Sequence, residues 1–322
     1  MTSPPLAALL VVFLGTISDL CAQESPLELL RRAAASNDTG QFRTAFELVQ
    51  PLLSSNAQKL DNASAGVAWS IRGLALQNLG NLDEARRSYE SAIRILRAIP
   101  DQKIQYATAL DNLGSLEADE GQLKESKVLR IRAKELYDSL GDHAGAARTA
   151  SSLAVVALVL GSRRDARHYL ADAYQEEGLV STPDPRDLAW MFGAECLLDE
   201  ADGKFQAALD QINRVIDLWT SHYGSKYYLL ASAYFVRGRV YRMLRNESSA
   251  AEDLRHSLML LSENNHQNSK LYFYVEIMYA KVLRNSGKKD DASRMESDAR
   301  AALERLNHQQ CPGCTISAEG IR

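Results

Sequence analysis

One turn residue recurs along this chain at intervals of 40 to 42 residues, and this period constrains the fold more than any other feature. The recurring position is glycine in six of its seven copies: Gly40, Gly80, Gly121, Gly161, Gly203, Arg245 and Gly287. Glycine is favoured where a helix ends at a positive φ, because it has no Cβ to clash with the backbone. The period therefore predicts seven copies of one helix–turn–helix unit.

Two further positions in each copy hold a small residue at a fixed distance from the turn. Five residues after the turn stand Ala45, Ala85, Ser126, Ala166, Ala208, Ala250 and Ala292. Seven residues before it stand Ala33, Gly73, Gly114, Ala154, Cys196, Gly238 and Ala280. Small side chains at both places let the two helices of a unit approach closely. Constant offsets over seven copies favour a repeat array over a non-repetitive helical bundle.

The clearest copy is residues 65–100, AGVAWSIRGLALQNLGNLDEARRSYESAIRILRAIP, and it carries a known packing pattern. The residues that carry it are Trp69, Gly73, Gly80, Ala85, Tyr89 and Ala92. With them the chain resembles tetratricopeptide repeat proteins over about residues 26–307. The unit is longer than the usual ~34 residues, and residues 108–137 resemble the long-unit variant of kinesin light chains. The resemblance implies an all-α, right-handed superhelical solenoid.

Four residues depart from the family pattern. Arg72 replaces the usual leucine of the first helix, and Arg245 replaces the turn glycine. Arg130 and Glu296 occupy second-helix positions that are usually apolar.

An apolar run of twelve residues, LAALLVVFLGTI, occupies positions 6–17. A membrane-spanning helix needs about 20 apolar residues, whereas this run has the length of a signal-peptide core. We therefore expect a cleaved signal peptide at residues 1–22, a repeat array at 23–307 and a tail at 308–322. The protein would then be exported, either periplasmic or secreted. MTSPP lacks the usual Lys or Arg, so an uncleaved anchor and a lipoprotein modified at Cys21 remain alternatives.

Cysteine is sparse. Cys196 occupies a small first-helix position and is expected in the core. Cys311 and Cys314 form CPGC in the tail, where an oxidising compartment would favour a disulfide between them. Free thiols, or a redox or metal role, are the alternatives.

The sequence has no motif of a known enzyme or cofactor site. Glycine-rich phosphate loops, H-E-x-x-H and G-x-S-x-G are absent, and the six histidines are scattered singly. A net charge of −4 gives no general attraction to nucleic acid. We expect no cofactor, no catalytic activity and, after removal of the signal, no transmembrane segment.

Function is expected on the concave side of the superhelix, which the resemblance assigns to the first helices. Asn112 fits a family position where asparagine holds a ligand backbone. The other expected groove residues are Trp190, Phe235, Arg239, Arg242, Tyr274, Lys281 and Arg284. Basic groups beside aromatic rings suit an acidic segment with apolar anchors. Alternatively, Phe235 and Tyr274 only pack between units and the basic groups are only solvated.

The resemblance thus implies a scaffold that binds another protein or a peptide. Two other roles are compatible with the sequence: an envelope assembly factor or lipoprotein of a bacterial periplasm, and a peptide sensor.

The apolar run near the start of the chain generates a prediction. If residues 1–22 are a cleaved signal, N-terminal sequencing of the exported protein should begin near Gln23. A soluble protein that begins at Met1 would contradict cleavage, and a lipid on Cys21 would favour the envelope role.

Overall fold

The computed structural model describes residues 24–54, 60–264, 266–285 and 289–310, with side chains up to residue 306. These residues form α-helices, two short 3₁₀ helices and the turns between them, and they contain no strand. The expected signal peptide, the turn at Gly287 and the CPGC pair Cys311 and Cys314 lie outside the described residues.

The α-helices follow one another with short connections. In chain order, α1 to α14 are Pro26–Asp38, Phe42–Val49, Asn62–Asn78, Leu82–Leu96, Lys103–Asp119, Leu123–Leu140, His143–Val159, Arg163–Glu177, Pro185–Ala201, Phe205–Tyr223, Leu230–Met243, Glu247–Glu263, Lys270–Asn285 and Lys289–Gln310.

Consecutive helices pair into seven units, from unit one (α1 and α2) to unit seven (α13 and α14). Each second helix also packs against the first helix of the next unit. First helices touch each other directly from α1 to α9 and again between α11 and α13. The predicted all-α superhelical solenoid is confirmed. In such an array each unit is stabilised mainly by its neighbours.

The predicted turns have the predicted backbone. Gly40, Gly80, Gly121, Gly161 and Gly203 all have φ between 76° and 83°. At Gly80 the next amide, of Asn81, donates to the Leu76 carbonyl oxygen at 2.9 Å, which closes the helix as a Schellman motif.

Arg245 adopts the same turn without being glycine. Its φ is 58°, and the Asn246 amide donates to the Tyr241 carbonyl oxygen at 2.9 Å, as in the other units. A left-handed conformation costs a residue with a Cβ about 1–2 kcal/mol. Unit six therefore keeps its turn at a local cost that the packing of its helices offsets.

The two helices of each unit meet where a small residue faces a residue sixteen positions later. At Gly73 an added Cβ would lie 2.6 Å from the ring of Tyr89, which is fully buried. At Gly114 it would lie 3.0 Å from Cγ of Arg130. The other positions at this offset are Ala33 and Val49, Ala154 and Leu170, Cys196 and Ile212, Gly238 and Leu254, and Ala280 and Glu296. The sequence departures Arg130 and Glu296 thus share one structural position with Tyr89.

Two glycine substitutions test this packing. We expect Gly73→Ala to destabilise the fold by about 1–3 kcal/mol, because the Tyr89 ring is enclosed and its hydroxyl is hydrogen-bonded to Gln77 at 2.8 Å. Gly193 in α9 has open space where its Cβ would be. Gly193→Ala should therefore stabilise the helix, by up to about 1 kcal/mol. Chemical denaturation measures both, and equal effects of the two substitutions would contradict the assigned contact.

Candidate functional site

The first helices of units one to three enclose a concavity of about 210 Å³. Its apolar part is formed by Val67, Ile71 and Leu74 of α3. The remaining lining comes from α1, α3 and α5: Ala34, Asn37, Asp38, Ser70, Gln105, Thr108 and Asn112. Three successive first helices therefore share one surface, which we call the N-terminal concavity.

Several polar groups of this concavity lack a partner within the described residues. Asn37 is 3% exposed, and its Nδ2 donates to the Ile71 carbonyl oxygen at 3.0 Å while its Oδ1 accepts nothing. The Ser70 hydroxyl is buried and also unpaired. Buried polar atoms without a hydrogen bond are costly. An apolar surface bordered by such groups is suited to a ligand that brings both apolar and hydrogen-bonding groups.

Asn112, expected from the sequence, lies in this concavity and is half-buried. Thr108 beside it is already engaged, since its hydroxyl donates to the Ile104 carbonyl oxygen at 3.0 Å and contacts the Tyr137 hydroxyl at 2.9 Å. The amides of Asn112 and Gln105 are the α5 side chains of the concavity that can bind a peptide group.

The structure places the expected residue Arg239 in an ion pair. Its Nη2 lies 2.7 Å from Oε2 of Glu200 on the neighbouring first helix, and its guanidinium lies 5.8 Å from the centroid of the Phe235 ring. Phe235 itself packs against the main hydrophobic core. This part of the expected groove is therefore close to electrically neutral.

The expected residues Arg242, Lys281 and Arg284 lie nearer to the end of the array. Arg242 Nε is 3.9 Å from Oε2 of Glu247, and Arg284 pairs with Glu296. Burial, followed by the neighbouring charge of Arg242, lowers the pKa of Lys281. Arg300 also pairs with Glu296 at 2.8 Å, so Arg284 and Arg300 share one carboxylate.

The expected aromatic residues differ in exposure. Trp190 is 44% exposed and meets the buried Trp219 edge to face, with ring centroids 5.8 Å apart. Tyr274 is half-buried and packs against a small core of Ile277, Ala299 and Leu303. Trp190 is therefore the expected aromatic residue with the most surface for a partner.

Sequence reasoning missed the charges that link neighbouring units. Arg148 of α7 pairs with Asp187 of α9 at 3.2 Å, and their separation of 39 residues equals that of Glu200 and Arg239. The sequence signal for such a link is a pair of opposite charges separated by about one repeat length. A similar separation, 38 residues, is found for Lys127 and Asp165, whose charged groups lie 3.1 Å apart.

The departures Arg72 and Arg130 are explained by buried polar contacts. Arg72 donates to Ser88 at 2.6 Å and to Glu84 at 2.8 Å, and it lies over the Trp69 ring. Arg130 is 7% exposed and pairs with Asp111 at 3.0 Å. Each guanidinium thus finds a partner inside its own unit.

The described residues hold no group of three or more side chains that could bind a metal ion. Cys196 is buried as expected, and burial raises the pKa of its thiol to about 12. Within the described part of the chain, no helix combines the length and hydropathy needed to cross a membrane.

Comparisons with known proteins agree with this architecture. The family model of the tetratricopeptide repeat matches residues 67–95. Human SH3 domain and tetratricopeptide repeat-containing protein 2 is 30% identical over 100 residues, which are 31% of this chain and 8% of that protein. The match thus spans only a small part of this curated relative.

Two solved structures resemble the fold over most of the chain. A Rap protein complexed with competence and sporulation factor has a TM-score of 0.59 at 13% identity, covering 87% of this chain and 77% of that one. A chain of the APC/C hetero-tetramer Cut9–Hcn1 has a TM-score of 0.59 at 17% identity, covering 88% of this chain and 48% of that one. The chain thus contains a tetratricopeptide repeat at residues 67–95, and its units form a solenoid with the fold of tetratricopeptide repeat structures. The fold is that of a protein-interaction scaffold, a class that is generally non-enzymatic.

A buried carboxyl at the end of α8 generates a pH prediction. Glu177 is 8% exposed and its Oε1 has no partner, and burial together with Asp187 and Asp184 raises its pKa above the ordinary value of 4.5. The folded protein therefore holds this proton more tightly than the unfolded chain. The resulting stability is present below the unfolded pKa and is lost as pH rises through the folded pKa.

We expect Glu177→Gln to raise the melting temperature at about pH 7, with a gain that shrinks towards about pH 4. Thermal melts across this range measure the effect. Glu135→Gln, at an exposed position of α6, is the matched control and should show no such trend. A gain that does not depend on pH would contradict the role of the Glu177 charge.

Proposed function

We propose that the protein is an exported scaffold that binds an extended segment of another protein along its concave face. The observation that carries the proposal is the N-terminal concavity, where the apolar surface of α3 is bordered by the unpaired atoms of Asn37 and Ser70 and by the amide of Asn112. An extended segment supplies what these groups lack, because its peptide groups are donors and acceptors and its side chains alternate between two faces.

The second part of the proposal concerns the partner's charge. Arg242, Arg284 and Arg300 lie near Lys281 at the end of the array, and burial together with their charges lowers the pKa of Lys281. These clustered arginines favour a partner that carries carboxylates there, since charge-assisted hydrogen bonds to arginine are strong. The exposed Trp190 offers an apolar contact. We therefore propose an acidic segment with apolar anchors.

The proposal of export rests on the apolar character and the length of residues 6–17. An exported scaffold would meet its partner in the periplasm or outside the cell. The candidate partners are therefore proteins of the envelope and secreted proteins.

Partner capture tests the proposal. The mature chain is used as bait with the envelope and secreted fractions of its own source, and bound proteins are identified by mass spectrometry. We expect Asn112→Ala to weaken capture, and the double variant Arg242→Glu with Arg284→Glu to abolish it. Each lost charged contact contributes about 1.5–3 kcal/mol, or about tenfold to hundredfold in affinity. The effect should decrease at high salt.

Two controls separate binding from folding. Arg94→Glu with Arg97→Glu makes the same charge change on exposed positions of α4 and its end, and it should leave capture unchanged. Because Arg284 pairs with Glu296, a glutamate at position 284 would face another carboxylate. The milder double variant Arg242→Gln with Arg284→Gln avoids this repulsion. Normal capture by both double variants at 242 and 284 would show that the basic end of the array is not the site.

A further inference from the structure

The first unit touches the far end of the array. The Asp38 carboxylate of α1 lies 2.6 Å from Nη1 of Arg186, 148 residues later at the start of α9. Phe42 at the start of α2 meets Tyr228 edge to face, with ring centroids 5.1 Å apart, and lies 6.3 Å from the ring of His266. These contacts join unit one to the start of unit five and to the loops before α11 and α13.

The contact is close over its whole extent. A Cβ on Gly40 would lie 2.5 Å from Cδ1 of Tyr228, so the turn of unit one rests directly on that ring. Phe42 is only 4% exposed although it belongs to the first unit of the described array. We call this set the latch: Asp38, Gly40 and Phe42 on one side and Arg186, Tyr228 and His266 on the other.

A second long-range contact joins α13 to α5. Lys270 at the start of α13 donates to the carbonyl oxygen of Asp119, at the end of α5, at 3.4 Å. Two separate contacts thus connect the first three units to the last three. Within the described residues the array is therefore closed on itself.

The latch borders the N-terminal concavity. Asp38 lines that concavity together with Asn37 and Asn112, and the same Asp38 carboxylate is held by Arg186. A segment that extends from the concavity past Asp38 would meet this ion pair. Such a segment and the closed latch would compete for the same space.

The latch can open without unfolding the array. Its ion pair is partly exposed, at 33% for the Arg186 side chain and 51% for that of Asp38, and exposed ion pairs contribute little to stability. Each unit keeps its neighbours when the ends separate, because a solenoid is stabilised by contacts between adjacent units. Arg186 also keeps a second acid, Asp184, at 3.4 Å.

We propose that the latch gates the N-terminal concavity: the closed ring excludes extended partners, and opening between unit one and units five to seven admits them. The proposal rests on the proposed function for the nature of the ligand. The gate itself is a property of this chain alone.

The test uses charge reversal and its compensation on the full chain. In Asp38→Arg two cations face each other, so we expect the latch to open and the radius of gyration, measured by small-angle X-ray scattering, to increase. Adding Arg186→Asp restores opposite charges and should restore the compact value. Asp217→Arg makes the same charge change at an exposed position of α10 and should leave the radius unchanged.

Access to the concavity is measured with a thiol introduced at one of its lining residues. The variant Asn112→Cys is treated separately with a small reagent, N-ethylmaleimide, and with a large one, a polyethylene-glycol maleimide of about 5 kDa. Peptide mass spectrometry follows the rate at which each reagent modifies the thiol at position 112. We expect Asp38→Arg to raise the rate of the large reagent several-fold, to leave that of the small reagent nearly unchanged, and the charge swap to reverse the gain. Helical circular dichroism of each variant verifies that the units remain folded.

The proposal that the latch is a gate would be overturned if both Asp38→Arg and Phe42→Ala left two quantities unchanged: the radius of gyration and the rate at which the large reagent modifies position 112. A swap that fails to restore either quantity would overturn the role of the ion pair. Neither measurement uses a partner. The proposal of a gate can therefore be rejected while partner capture through Asn112 is observed, and it can be supported when no partner is captured.

Discussion

The solenoid depends on one contact that each unit makes within itself, between a small residue of the first helix and the residue sixteen positions later in the second. Where the first helix has glycine, the second can hold a tyrosine, as at Gly73 and Tyr89, or an arginine, as at Gly114 and Arg130. Where it has alanine at position 33, the second helix has the smaller Val49. Because each pair fixes how closely its helices approach, it also fixes the surface that the next unit packs against.

Charges add specificity to this packing. Arg237 of unit six repeats the arrangement of Arg72 in unit two: each guanidinium bonds to a polar residue sixteen positions later, Asp253 at 2.7 Å or Ser88 at 2.6 Å, and lies near aromatic rings. A partly buried guanidinium with its partners removed would be costly. The polar departures from an apolar repeat pattern therefore restrict how neighbouring helices can slide against each other.

The local geometry was predictable from the sequence and the long-range geometry was not. Turn glycines and small residues recur with the repeat, so the positive φ at Gly80 and the burial of Ala85 could be inferred. Arg245 shows that the turn persists without its signature residue. The contact of Phe42 with Tyr228 depends on the curvature accumulated over five units, to which every unit contributes slightly. Arg239 and Arg284 pair with Glu200 and Glu296 of other helices, and these pairs depend on how the helices pack and not on the pattern of any one helix.

Closure has a consequence for the number of repeats. An open solenoid can lose or gain a unit with little effect on distant ones, since each unit contacts only its neighbours. Here the ion pair of Asp38 and Arg186 requires three units, units two to four, to lie between unit one and unit five. Inserting another unit there, or deleting one of the three, would carry Arg186 one full step along the superhelix and separate it from Asp38. This stretch of the array consequently behaves as a ring of fixed circumference, because the contact between its ends fixes the number of repeats that it can contain.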